Sequence, residues 1–399
     1  MRNANMYKNV LVFPCGSEIG LEIYRSLRYE KFINLIGAST VSDHGAYIYE
    51  NYLEGIRKED IKELVKKIKI DYIFPAHDDT MCYLSKTDLP VISAGFITTD
   101  ILRHKKKTYE YFEGKLRVPK MNVNQYPVFL KPNAGQGSQG THIARCFEEV
   151  DFYRLFDPTL LILEYLPGKE YTIDCFTHKG ELLFVGGRER ERIKSGISVR
   201  SKPVKDERFY RIAKIINSNL EMKGAWFFQV KEKDGELVLM EISNRIAGTM
   251  GLYRMRGINF PLLSLYSFMG MDVKIIDNDT KVTVDRALES VYRIDLEYDR
   301  VYVDYDDCLI IDGKLNLLLT KFIIQCVNDG IPVSLITKNK KPDNVFNQMF
   351  SEIIIAKGKK SKYIKGKAIF IDDSFAERQD VHSFGIPVFS PDAVECLIR

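Results

Sequence analysis

Short apolar runs alternating with amphipathic segments set the pattern of the N-terminal part. Lys8-Asn9-Val10-Leu11-Val12-Phe13 is apolar at successive positions, which predicts a strand buried on both faces. Pro14-Cys15-Gly16-Ser17-Glu18-Ile19-Gly20 then leads into a helix through about Leu27. A strand over 32–37, an amphipathic helix over 56–67 and the strand Tyr72-Ile73-Phe74-Pro75 continue a β-α-β alternation, which implies a parallel sheet. The turn between Gly16 and Gly20 has the glycine content to seat a nucleotide. His77-Asp78-Asp79 follows a strand at the carboxyl edge, where such sheets place ligands. A substrate contact and a helix cap both fit the aspartates.

The pattern then changes. Val128-Phe129-Leu130-Lys131 is a short apolar strand ending in a lysine, followed by Pro132-Asn133-Ala134-Gly135-Gln136-Gly137-Ser138-Gln139-Gly140. Three glycines let a backbone approach a phosphate and turn its N–H groups inward, and the lysine adds a fixed charge at one end. No Gly-Lys-Ser/Thr follows and no G-x-G-x-x-G opens a helix, so this is not a P-loop; a tight hairpin without a ligand fits the same residues. Leu161-Ile162-Leu163-Glu164-Tyr165-Leu166-Pro167-Gly168-Lys169-Glu170 gives a strand, a turn and two spaced carboxylates. Gly224-Ala225-Trp226-Phe227-Phe228-Gln229-Val230, a turn at Asp234-Gly235 and Leu237-Val238-Leu239-Met240-Glu241-Ile242-Ser243-Asn244-Arg245 read as a hairpin. Arg188, Arg190 and Arg192 alternate on one face of an extended segment, which is costly without an anionic partner. A charged connector over 294–300 precedes a fresh α/β pattern: a strand into Asp304-Tyr305-Asp306-Asp307-Cys308, a helix over 315–329, a strand through Thr337 and a last strand into Asp372-Asp373.

Composition narrows the class. A chain of 399 residues has room for two or three domains, and 45% hydrophobic residues suit a soluble globular protein. No apolar run reaches the roughly 18–20 residues that span a bilayer, and the first residues lack an apolar signal-peptide core. A net charge of +4, with lysines scattered among acids, gives no reason to expect nucleic acid. The seven cysteines are odd in number and lack CxxC spacing, which predicts reduced thiols in a cytoplasmic protein without zinc or disulfides. Neither membrane nor nucleic acid is an expected partner, and a homo-oligomer is left open.

Taken in order, the lysine and glycine loop, the paired glutamates and the Gln…Glu-x-x-x-Arg hairpin closely resemble the ATP-grasp superfamily over roughly residues 1–290. That resemblance implies an α/β architecture: a Rossmann-like domain over 1–100, which usually helps bind the acceptor, and α+β ATP-grasp domains over 101–292. It implies ATP and Mg2+, with Mn2+ as an admissible substitute. Lys131 and the loop of Gly135, Gln136, Gly137, Ser138, Gln139 and Gly140 would cover the phosphates. Lys105 would be a second cationic contact, although Lys105-Lys106-Lys107 alone reads as a solvated helix face. Glu164, Tyr165 and Leu166 match the adenine hinge, and Glu170 the ribose-binding acid; a cross-strand ion pair is the plainer reading of Glu170. Gln229, Glu241 and Ser243 fall at metal-ligand positions, but Ser243 stands where the family commonly has asparagine and Gln229 is neutral. Arg245 would lie by the γ-phosphate and Arg192 near an acyl phosphate. Arg254 and Arg256 are weaker candidates for carboxylate binding.

The remaining segment, 298–399, resembles the haloacid dehalogenase superfamily, a small doubly wound parallel sheet. Asp304 would attack phosphorus, Asp306 would be the general acid/base, and Thr337 and Lys362 would bind the phosphoryl group. Asp304, Asp306, Asp372 and Asp373 form the implied magnesium set, since clustered carboxylates repel unless a cation sits among them. Cys308 replaces the usual threonine, and the 33 positions from Asp304 to Thr337 leave little room for a cap. Together the resemblances imply a MgATP-dependent ligase joining a small carboxylate to an amine through an acyl phosphate, with an appended phosphohydrolase. An ATP-binding protein whose C-terminal domain is a scaffold, and a phosphotransferase acting on a non-carboxylate, use the same ATP residues.

Overall fold

The computed structural model describes residues 7–398, apart from 136, 138, 195 and 339–348. The chain divides into two compact units, Met1–Leu288 and Glu289–Arg399.

The first unit opens with a parallel sheet of β1 (Lys8–Phe13), β2 (Ile33–Ala38), β3 (Asn51–Leu53) and β4 (Tyr72–Pro75), in the order β3-β2-β1-β4. Because β1 is interior, both of its faces are covered, which accounts for its unbroken apolar run. Leu11 and Phe13 pack with Ile36, Ile61 and Ile73. Val10 and Val12 pack on the other side with Phe227, Ile246 and Phe260, so that face joins the sheet to the rest of the unit. β3 escapes the periodicity because three residues are too few to show it. Gly16 and Gly20 serve close packing instead of opening a nucleotide turn. A Cβ on Gly16 would overlap the Asp43 carboxylate, and one on Gly20 would stand 2.2 Å from the Cys15 carbonyl oxygen.

A three-stranded antiparallel sheet follows, with β5 (Val128–Lys131) between β6 (His142–Ala144) and β7 (Leu161–Glu164). The large sheet is antiparallel and contains β8 (Glu170–His178), β9 (Glu181–Lys194), β10 (Ile197–Val204), β11 (Gly224–Lys233), β12 (Glu236–Ser243) and β13 (Val284–Asp285). Its order is β12-β11-β8-β9-β10-β13. The helix Glu207–Asn219, capped by Asp206, lays Phe209, Ala213 and Ile216 against Phe228 and the fully buried Trp226. The indole N–H of Trp226 donates to Thr177 Oγ1 at 2.8 Å, so its polar atom is satisfied inside the core.

The second unit is built on β14 (Arg300–Asp304). After it come a small hairpin of β15 (Ile310–Ile311) and β16 (Lys314–Leu315), then β17 (Val333–Thr337), β18 (Glu352–Ile355), β19 (Ala368–Ile371) and β20 (Val388–Phe389). Five of these strands form a parallel sheet in the order β18-β17-β14-β19-β20. The order reverses at β14, and ligands of open α/β sheets bind beyond the carboxyl ends at such a switch. Among the described residues of the chain, no helix is long and apolar enough to cross a membrane.

The close approach at Gly20 makes a stability prediction. Gly20→Ala drives a methyl group into backbone that cannot move away, and should lose about 1–3 kcal/mol, read as a lower Tm.

Candidate active site

In the first unit a cavity of about 500 Å³ lies among the small sheet, the large sheet and the loops after β1 and β4. β5 delivers Lys131 into it, and the loop after β5 contributes Gly135, Gly137 and Gln139. Gly137 and Gly140 have φ of 60° and 67°, the left-handed region that glycine enters without strain. The helix Lys105–Phe112 starts against this loop. The Lys105 N–H donates to Asn133 O at 2.9 Å, and its Nζ donates to Gly135 O at 2.8 Å. Both lysines are buried, Lys105 5% exposed and Lys131 8%. Burial brings the Lys131 ammonium down to about 8, against the opposing pull of Glu241, and it lowers Lys105 as well.

Gln229 and Glu241 face each other across the β11–β12 pair and both line the cavity. One carboxylate and one amide oxygen on a cavity wall that also carries two lysines suit magnesium, which takes few protein ligands and fills its octahedron with water and other oxygens. Gln229 is partly committed, since its Oε1 accepts from Arg190 at 3.5 Å. Arg190 also binds the Glu170 carboxylate and donates to Gly196 O at 2.7 Å. Its Nε is buried with no partner among the described residues.

The three alternating arginines have separate fates. Arg188 is 1% exposed and forks onto Asp174 at 2.6 and 3.0 Å while reaching Thr249 Oγ1. Arg190 lines the cavity. Arg192 is exposed on the far end of β9, paired with Asp285 at 2.5 Å, and is not part of the cavity wall.

A second polar centre ties the first sheet to the large one. Asp78, in the first turn of the helix Asp78–Leu84, accepts Arg245 Nε and Nη2 at 2.7 Å each and Ser243 Oγ at 3.0 Å. Burial pushes the Asp78 carboxyl up, but the Arg245 guanidinium, with help from Arg103 and the Ser243 hydroxyl, outweighs it and holds the pKa at about 2. The helix cap is His77, whose Nδ1 accepts the Asp79 N–H at 3.2 Å.

In the second unit, β14 ends in Asp304 and β19 runs into Asp372 and Asp373. Oxygens of these three carboxylates lie within 4.8 Å of one another, a set that suits a divalent cation. Lys360 Nζ already bridges two of them, bonding Asp304 Oδ1 and, at 2.7 Å, Asp372 Oδ2. Burial raises the Asp304 carboxyl to about 7, the Lys360 ammonium opposing this and the Asp372 charge adding to it. Thr337 Oγ1 donates to Asp306 Oδ2 at 3.0 Å.

An ATP-grasp family model, described as ATP-grasp in the biosynthetic pathway with Ter operon, matches residues 156–290. The biotin carboxylase domain of Hydrogenobacter thermophilus 2-oxoglutarate carboxylase superposes with a TM-score of 0.59 at 16% identity, over 69% of this chain and 72% of that one. The first unit has an ATP-grasp fold. L-amino acid ligase from Bacillus licheniformis gives a TM-score of 0.54 at 16% identity, over 66% of this chain and 74% of that one. Staphylococcus aureus N5-carboxyaminoimidazole synthetase, solved with ADP, gives 0.55 at 14% identity, over 67% and 78%. No curated protein matches the sequence.

Set on this ATP-grasp fold, the expected site residues divide. Lys105, Lys131, Gly135, Gly137, Gln139, Glu170, Gln229, Glu241 and Arg245 line one cavity. Gln136 and Ser138 lie outside the described residues. Gly140 does not line the cavity, and the three residues expected at the adenine hinge, Glu164, Tyr165 and Leu166, also lie off its wall. The Glu164 carboxylate is turned to Lys233 at 2.7 Å, Arg117 at 2.6 Å and the Lys120 N–H at 2.8 Å.

Several expectations need correction. Glu170 makes the cross-strand ion pair that its plainer reading foresaw. Ser243 is bound to Asp78 instead of standing as a metal ligand, and Arg245 shares that carboxylate. Arg192 is drawn away by Asp285. Arg254 pairs with Glu22, and Arg256 with Asp277 and Asp279, so neither awaits a carboxylate. In the second unit Lys360, not Lys362, meets the aspartates; Lys362 is exposed. Asp306 joins Thr337 instead of the three-carboxylate group. Cys308 is buried with its thiol toward Ile371 O, in keeping with a core residue. The roles of Asp78 and Lys360 left little mark on the sequence. Asp78 sits 167 positions from Arg245, and Lys360 is one of four lysines within six residues.

Two predictions follow from these charges. Asp78→Ala leaves the Arg245 guanidinium buried without its carboxylate and should cost about 3–5 kcal/mol in denaturant unfolding. In the wild type the same carboxylate's contribution is fully present above pH 3.8 and is lost as pH falls toward about 2. Lys131 gives a slope of the same sign in a higher pH window. Its depressed pKa means that stability without nucleotide rises as pH climbs from about 8 toward 10.5, while nucleotide affinity falls over that interval as the ammonium loses its proton. Titration calorimetry with ADP across pH 7–10 checks the second half, and Lys131→Met should abolish the pH dependence along with most of the affinity.

Proposed function

We propose that the protein is a MgATP-dependent ligase that activates a small carboxylate as an acyl phosphate and joins it to an amine, releasing ADP and phosphate. The observation that carries this reading is the pair of buried ammonium groups lining the cavity, Lys105 on Gly135 O of the glycine loop and Lys131 on Met240 O, with Glu241 as the carboxylate acting on both. A buried cation without an equal counter-charge is costly, and a polyphosphate in the cavity removes that cost. The orphaned Arg190 Nε on the same wall calls for an acceptor as well. Gln229 and Glu241 would hold magnesium together with phosphate oxygens, and magnesium would offset charge on the transferring phosphoryl group. On this reading residues 1–100 help bind the acceptor and 101–292 bind nucleotide and carry the chemistry.

Residues 298–399 form, on the same reading, a haloacid-dehalogenase-like phosphohydrolase. Support comes from the switch point at β14 and from the convergence there of Asp304, Asp306, Thr337, Lys360, Asp372 and Asp373. On this reading Asp304 would attack phosphorus and Asp306 would move the proton. Asp304, Asp372 and Asp373 would hold the cation that offsets the charge of the transferred group.

One observation favours a second reading, an ATP-binding protein with slow turnover. Ser243 is spent on Asp78 and Gln229 is shared with Arg190, which leaves Glu241 as the uncommitted metal-side carboxylate of the expected set.

ADP and phosphate release from MgATP, measured against pools of small carboxylates and amines, separates these readings. The ligase reading expects one pool to stimulate ADP release, undiminished in Asp304→Asn. The phosphohydrolase reading expects phosphate release beyond ADP from phosphorylated compounds, lost in Asp304→Asn. Nucleotide binding without ADP release in any pool supports the second reading and removes the first.

A further inference from the structure

The cavity wall formed by the start of the first helix and the chain around Gly248 and Arg286 carries a feature that the nucleotide reading above does not draw on. Ser17, Glu18, Gly248 and Arg286 line it, and Arg286 Nη2 meets Glu18 Oε2 at 2.7 Å. Gly248 is the floor beneath the pair: a Cβ there would lie 3.2 Å from Glu18 Oε2 and 3.4 Å from Arg286 Nη1. The three other arginines of the wall are committed, Arg188 to Asp174, Arg190 to Glu170 and Arg245 to Asp78. This end of the cavity therefore presents one cation and one anion side by side.

The pair is poorly suited to be a structural clasp. Its side chains are 47% (Glu18) and 23% (Arg286) exposed, and ion pairs that open to water contribute about 0–1 kcal/mol. The same helix, Glu18–Leu27, is already fastened one turn later by a two-pronged bond. Arg254 Nε and Nη2 meet the 9% exposed Glu22 carboxylate at 2.8 and 3.1 Å. Glu18 and Arg286 can thus part at little cost to the fold.

We propose that one of the two substrates is an α-amino acid, docked as a zwitterion with its carboxylate on Arg286 and its ammonium on Glu18; this rests on the ligase reading. A guanidinium binds a carboxylate through two parallel N–H groups, and the neighbouring carboxylate takes an ammonium borne on the adjacent carbon. A simple carboxylic acid on Arg286 would meet the like charge of Glu18, and a simple amine on Glu18 would meet that of Arg286. The pair therefore rejects ligands that carry only one of the two charges, which is specificity through repulsion.

The test uses the full chain with MgATP, the α-amino acids, and analogues of each lacking either the amino or the carboxyl group. ADP release should be stimulated by an amino acid and by neither analogue. Glu18→Gln and Arg286→Gln should each raise the KM for that amino acid about 10–100-fold, with the KM for ATP within twofold of wild type. Gly248→Ala, which crowds the pair without removing a charge, should raise it by less. If an analogue works as well as its amino acid, or both variants leave the KM unmoved, the inference falls and the ligase reading stands. If no compound of any class releases ADP, the ligase reading falls. Binding is then read as the Tm shift caused by amino acids in the presence of ADP, expected in wild type and lost in Arg286→Gln, and no shift from any amino acid overturns the inference. Should Arg286→Gln lower the Tm of the free protein, Arg286→Lys keeps the charge but loses the fork, and an intermediate KM is expected.

Discussion

The bond of Asp78 to Arg245 and Ser243 is the constraint on which the candidate ligase site depends. It joins the helix after the fourth strand of the parallel sheet to the end of the large antiparallel sheet, and so fixes two walls of the cavity against each other. An apolar contact would hold these walls together but would leave their sliding free. A two-pronged guanidinium–carboxylate pair, buried and with a hydroxyl as third partner, permits one register. The cost of removing both charges from water is met by geometry good enough to keep the carboxylate ionised at a pKa of about 2.

The same principle of internal counter-charge recurs through both units with different consequences. Arg188 with Asp174 is sealed and structural. Arg190 with Glu170 stands on the cavity wall with one N–H unspent. Lys360 among Asp304 and Asp372 takes a place where carboxylates would otherwise repel. At Lys105 and Lys131, among the described residues, two buried ammonium groups meet one acid without a salt-bridge partner, Glu241. That imbalance is what separates a binding site from a well-satisfied core.

How much of this could be read beforehand depended on distance along the chain. The strand β1, the glycine loop with Lys131 and the hairpin that carries Gln229 and Glu241 were legible because each is a local pattern of a few residues. The ATP-grasp fold followed from their order. What stayed hidden was pairing across long separations. Nothing near Ser243 signals that its hydroxyl is spoken for by Asp78, and the run of Arg188, Arg190 and Arg192 looks uniform until Asp174, Glu170 and Asp285 arrive from other strands. Lys360 was missed by two positions for a related reason: a lysine-rich run carries no periodicity, and only the fold decides which ammonium turns inward.

The two faces of β1 also bear on how the protein is made. Leu11 and Phe13 find their neighbours early in the chain, whereas the side of Val10 and Val12 has Ile23, Leu27 and Phe74 early and is completed by Phe227, Ile246 and Phe260. At about 5–20 residues per second, a ribosome needs on the order of ten to fifty seconds to supply them. For that time one side of the opening sheet is only partly covered, and the nascent chain offers an oily surface to chaperones, proteases and its own neighbours on the polysome.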